Sequence, residues 1–247
     1  MTVAIFGLVI GSFLNVVIAR LPEGRSLLWP PSSCSACGAG IAWRDNVPLV
    51  SFVALRGRCR ACRSRISRRY PLVEAATAAL FVAAYLTFGL TLEGLVAAAL
   101  LGGLLAITVI DLERQIIPDV ITLPGILAGV VANLATGRVP PVDVALGITL
   151  GAGLFLVIIL ASRGGMGGGD MKLGAMLGAF LGWKVLLLAV FLAVLAGGVV
   201  AVALIALGRR GRKDAIPFGP FLAAGGAAGL FWGEGVVRWY VSGLSGL

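Results

Sequence analysis

Apolar residues run along this chain in long unbroken blocks rather than in the short amphipathic periods of a soluble fold. Blocks at 3–19, 72–88, 94–110, 120–136, 143–161, 171–183, 185–207 and 216–240 mostly approach the ~20 residues an α-helix needs to cross a bilayer core of ~30 Å. Water is absent there, so a spanning segment of this length satisfies its own backbone groups as a helix. The pattern predicts an all-α polytopic membrane protein with about eight transmembrane helices. The first block has no basic flank before it and Arg20 after it, which reads as a retained span rather than a cleaved signal peptide. The block at 171–183 is short, so it is expected to tilt, to be partly re-entrant, or to continue into the polar sequence at its start.

The division that follows is a first transmembrane helix at 1–19, a four-cysteine loop module at 20–71, and a multi-helix membrane domain at 72–247. Composition agrees: 59% of the 247 residues are hydrophobic and only 13% charged, against about 25% charged in ordinary soluble domains. Glycine stripes such as Gly147-x-x-x-Gly151 and Gly225-Gly226 are read as close helix contacts, since packing rather than hydrophobic drive joins helices in lipid. With an external N-terminus, every lysine and arginine except Arg138, Lys184 and Arg238 falls on the cytoplasmic side. The net charge of +9 therefore sits beside the membrane, where anionic lipid is its partner, and no nucleic acid is expected to bind.

Two acidic positions stand out against this background. Asp111 closes one apolar block, and Asp170 follows Gly164-Gly165-Met166-Gly167-Gly168-Gly169 and precedes another. A carboxylate within a span costs about 2.5–3.5 kcal/mol, so one kept at a span border marks a functional site. Asp111 gains nothing structurally, because a helix C-terminus repels an anion. The glycines before Asp170 give the backbone freedom to pass close to a ligand. Asp119, after Pro118, reads first as a helix cap, and Lys172 as an interface lysine or a neighbour that tunes Asp170. Histidine is absent, which excludes histidine-based triads and the HExxH metalloprotease mechanism and leaves acid–base work to carboxylates.

Two aspartates brought together cannot both ionise comfortably. They share a proton, one acting as base toward water while the other hydrogen-bonds a scissile carbonyl. The polar module holds Cys34-x-x-Cys37 and Cys59-x-x-Cys62 in an arginine-rich setting. Paired CxxC knuckles suit a closed structural zinc site with four thiolate ligands, while disulfides are the competing reading and are rare on the cytoplasmic side. A cation-coupled transporter is the non-enzyme alternative for intramembrane carboxylates, disfavoured by their position at one face.

The motifs, in order, are Gly11-Ser12-Phe13-Leu14-Asn15 with Arg20-Leu21-Pro22, the two cysteine pairs with Trp43-x-Asp45-Asn46-x-Pro48 between them, and Arg69-Tyr70-Pro71-Leu72-Val73-Glu74. Asp111-Leu112, Ile117-Pro118-Asp119 and Gly167-x-Gly169-Asp170-x-Lys172 follow. In this the chain resembles the bacterial prepilin peptidases, also called type IV leader peptidases. The resemblance implies an intramembrane aspartic peptidase of the GxGD kind with Asp111 and Asp170 as catalytic pair. It implies prepilin or pseudopilin precursors as substrates, cut after a glycine at the cytoplasmic face of the bacterial inner membrane. It further implies N-methylation of the new N-terminus by S-adenosylmethionine, with a leader peptidase lacking methylation as the alternative. No Rossmann-type glycine turn is present for the cofactor; Asp45, Asn46 and Glu74 are the polar residues available to it or to the substrate amine.

Overall fold

The apolar blocks become helices in the computed structural model of the chain, which describes residues 1–161, 167–209, 211 and 216–244. The order is α1 Thr2–Arg20, a short α2 Val50–Ala54, α3 Arg69–Phe88, α4 Leu92–Arg114, α5 Asp119–Thr136, α6 Pro141–Ala161, α7 Gly168–Ala206, α8 Gly219–Ala228 and α9 Glu234–Leu244. A π-helical turn, Gly229–Gly233, joins the last two. Residues 162–166, which hold Arg163 and the first half of the glycine-rich stretch, and Arg210, Arg212 and Lys213 of the basic set lie outside the described residues.

Among the described residues six helices are long and apolar enough to cross a bilayer, ending with α7. The most apolar window of α7 has a mean hydropathy of 3.0, yet only 28% of it is buried within the chain. Apolar surface on that scale needs lipid against it, and the chain is a multi-pass membrane protein.

The difference between six long helices and about eight apolar blocks reflects two local features. The blocks at 171–183 and 185–207 are two helical segments of α7 separated by a break at Gly182, φ 71° and ψ 168°, and the chain turns back there, since neighbouring Gly226 and Gly225 pack on Leu177 of one segment and Ala189 of the other. The Asn133 amide spans this break, donating to the carbonyls of Ala179 at 2.8 Å and Phe180 at 3.2 Å, so backbone acceptors loosened by the kink keep a partner inside the membrane region. The last block is divided by the π-helical turn, which leaves no single helix long enough to qualify.

Two compact units divide the chain within α4, Met1–Ala106 and Ile107–Leu247. In the first, Gly7 and Gly11 let α1 lie directly on Ala78 and Glu74 of α3. In the second, the Gly147-x-x-x-Gly151 stripe of α6 meets the backbone of Gly178 and Gly174 of α7, where a Cβ on either side has no room. Gly225 of α8 packs in the same manner on the Ala189 backbone, and Gly226 on Leu177. The predicted small-residue contacts at 147, 151, 225 and 226 are therefore helix crossings, and they hold α7 between α6 and α8.

Candidate active site

Asp111 lies in the last turn of α4, only 5% exposed, and Asp170 in the first turn of α7, 8% exposed. The two carboxylates interact electrostatically, although they are far apart in the chain. Each is held at the N-terminal end of a helix, where unpaired N–H groups favour an anion. For Asp170 the helix is its own, with Gly167 as N-cap. For Asp111 it is α8, whose Gly219 N–H donates to Oδ2 at 3.0 Å. Asp170 Oδ1 is buried without a hydrogen-bond partner, an oxygen open to accept from a water or, when protonated, to donate to a substrate carbonyl.

Ile117 explains the glycines around the pair. A Cβ on Gly169 would press on the Ile117 side chain, and one on Gly219 would meet both Ile117 and the Asp111 carboxylate. The reason for these glycines is close packing. Gly167 has an ordinary extended φ of −82°, so the expected need for unusual dihedrals is not met at the described end of the loop. Gly164, Gly165 and Met166 lie outside the described residues. We expect Gly219→Ala to displace the Asp111 side chain and lower cleavage about 10- to 100-fold with little change in thermal stability, since small misplacements at a reacting group are costly. A rate within twofold of wild type, measured on purified protein, would show that the glycine is dispensable.

Asp119 and Lys172 take roles other than those expected. Pro118 is the N-cap of α5 and makes no side-chain cap bond, while Asp119 pairs with Lys172, Nζ to Oδ2 at 2.6 Å. Lys172 is thus committed to Asp119, and the pair ties the start of α5 to the first turn of α7 beside Asp170. Gly219 is the residue that motif reading missed. Its signal was Phe218-Gly219-Pro220, since proline in the first turn marks a helix start and so a row of free N–H groups.

The four cysteines come together as expected. Their Sγ atoms all lie within 4.8 Å of one another, with Cys34 and Cys62 at 3.9 Å. Tetrahedral zinc with bonds of about 2.3 Å needs edges of about 3.8 Å. Each CxxC forms the same turn. Cys34 N–H bonds the Ala39 carbonyl and Gly38 N–H the Cys34 carbonyl; Cys59 and Ser64, then Arg63 and Cys59, repeat this. All four thiols are free. N–H groups of Ala36 and Cys37, then the Ser64 hydroxyl, hold the Cys34 thiol at about 6. Cys37 accepts the Ala39 N–H yet is pushed up to about 11 by the Cys62 and Cys34 sulfurs. Four sulfurs this close can all be thiolates only with a cation between them, and the donor set fits zinc. Asp45, once a candidate cofactor contact, instead forms a two-bond pair with Arg60 at 2.8 and 2.6 Å, which holds its carboxyl below the usual range. Glu74 accepts the Leu49 N–H at 2.9 Å.

Comparison with known proteins places these residues in a family. The profile of the bacterial Peptidase A24 N-terminal domain matches residues 5–88, and that of the type IV leader peptidase family matches 98–202. The chain is 39% identical over 273 residues to the prepilin leader peptidase/N-methyltransferase of Aeromonas salmonicida (strain A449), covering 97% of this chain and 93% of that one. It belongs to the type IV leader peptidase family. Proteins of the same name from Aeromonas hydrophila and Pseudomonas aeruginosa are 40% and 37% identical, over 97% and 96% of this chain and 93% and 91% of theirs. No solved structure matches. The leader peptidase profile spans both Asp111 and Asp170, while all four cysteines fall within the N-terminal profile.

Proposed function

We propose that the chain is a prepilin leader peptidase and N-methyltransferase of the bacterial inner membrane, cutting prepilin or pseudopilin precursors at the cytoplasmic face. The observation that carries the peptidase reading is that two buried carboxylates, Asp111 and Asp170, come to the same place around Ile117 from the ends of two helices, Asp111 beside Gly219 and Asp170 next to Gly169, both glycines packed on Ile117. The pair shares one proton. One carboxylate takes a proton from water as the water attacks the scissile carbonyl, and the other donates a hydrogen bond to that carbonyl oxygen. Collapse of the tetrahedral intermediate returns a proton to the leaving amine. Gly219 N–H keeps Asp111 oriented throughout, and the open Asp170 Oδ1 faces the reacting groups.

The distribution of basic residues supports the cytoplasmic orientation. Cys34, Cys37, Cys59 and Cys62 would hold structural zinc, which fixes the fold of the module. S-adenosylmethionine supplies an electrophilic methyl group when bound. Buried acceptors of the first unit, Glu74 and Asn15, fit the positive charge of a substrate ammonium.

Incubation of purified enzyme with a pilin-like precursor, with and without S-adenosylmethionine, tests the reading by intact mass. We expect trimming in both cases and the added mass of one methyl group only with the donor. Trimming without that increment would leave a peptidase alone, and no trimming would overturn the proposal.

A further inference from the structure

Buried between α1 and α3 is a polar cluster that helix packing leaves unexplained. Ser12 and Asn15 are three residues apart on α1 and so share a face. Glu74, 8% exposed, accepts the Leu49 N–H at 2.9 Å and the Ser12 hydroxyl. Asn15, 3% exposed, donates to the Tyr70 carbonyl at 3.0 Å, while its own Oδ1 is buried without a partner. Leu49 delivers its N–H at φ 57°, a left-handed conformation that L residues rarely adopt.

This set is rich in acceptors. A carboxylate offers about four lone-pair sites, and the unpartnered Asn15 oxygen adds to them. Leaving a buried acceptor empty costs about 1–3 kcal/mol, so the cluster is complementary to a cation with several N–H donors. A primary ammonium is such a group.

Methyl transfer to an amine needs a proton acceptor, and the other acids of the first unit are unsuited. Glu23 is paired with Arg25 in the open and Asp45 is held by Arg60. Glu93 opens α4, beyond the far end of α3, and the run of α3 from Glu74 to Phe88 is about 20 Å at 1.5 Å per residue. Histidine is absent.

We propose that Glu74, with Asn15 and Ser12, forms the site that receives the N-terminal ammonium of the trimmed substrate and takes its proton for methylation. This rests on the bifunctional reading above. The ammonium gives one proton to the Glu74 carboxylate. The freed amine lone pair then forms the N–C bond as the methyl C–S bond breaks, and that bond's electron pair returns to sulfur. The products are a methylated ammonium and a neutral thioether.

The test uses full-length wild type, Glu74→Gln, Glu74→Asp and Asn15→Ala in detergent, with zinc content as the fold control. Binding is measured for an apolar peptide with a free N-terminal amine, for its N-acetylated form, and for S-adenosylmethionine. We expect wild type to prefer the free amine at least about tenfold, and Glu74→Gln and Asn15→Ala to lose that preference without weaker S-adenosylmethionine binding. Glu74→Gln should slow methyl transfer at least about 100-fold, with partial recovery in Glu74→Asp. A Glu74→Gln enzyme that methylates at the wild-type rate overturns the proposal. So does one that loses S-adenosylmethionine binding but keeps the amine preference. If wild type trims without methylating, the bifunctional reading fails, and the amine preference still decides whether the site exists.

Discussion

Either Asp111→Asn or Asp170→Asn abolishes precursor cleavage, by at least about 10³-fold, and the double variant is no worse than a single one. Asparagine keeps the shape of the side chain and still accepts the Gly219 N–H at position 111, but it cannot exchange a proton. In the proposed mechanism the two carboxylates act through one shared proton, so losing either removes the whole acid–base cycle rather than half of it. Expression and membrane insertion should hold, since a neutral amide is easier to bury than a carboxylate. The measurement is cleavage of a pilin-like precursor by purified single variants, with thermal unfolding as a control. Cleavage above one-tenth of the wild-type rate by either variant would remove the pair from the mechanism.

Loss of the proposed zinc is expected to have the second largest effect. Between α1 and α3 the chain has two single-turn 3₁₀ segments, Leu21–Glu23 and Trp43–Asp45, the five-residue α2, and isolated bridges at Ser33–Gly40 and Arg58–Arg65. Elements this short do not hold themselves, whereas a structural zinc site contributes about 10–16 kcal/mol of apparent binding energy. Cys34→Ser with Cys59→Ser should therefore lose about one zinc per chain, and the module should become open to proteases while the membrane helices stay protected. Metal analysis and limited proteolysis measure both. Unchanged zinc content would mean that the thiols are not its ligands. The Asp45–Arg60 pair lies within the same module and is expected to be lost with it.

Motif reading went furthest where the physics is local. Gly147 and Gly151 were identifiable as contact positions because small residues four apart lie on one helix face. The two CxxC pairs announced their site because each closes a tight turn within its own few residues. The roles of Asp119 and Lys172 stayed open for the opposite reason. A cap and a snorkelling lysine are properties of single helices, but the ion pair that joins these residues, 53 positions apart, depends on how α5 meets α7. Gly219 reaches Asp111 across 108 positions, and no spacing rule extends that far.

From residue order alone came the membrane class, the candidate spans, the cysteine tetrad and the two aspartates to watch, because hydropathy over a bilayer's thickness, turn chemistry and the high cost of a buried charge are written in consecutive residues. Which groups surround those aspartates, where α7 breaks at Gly182, and that Asn15 and Glu74 share a buried cluster were decided only by the packed helices. Those contacts are set by crossings between glycine-bearing faces, and a crossing is a property of two helices together.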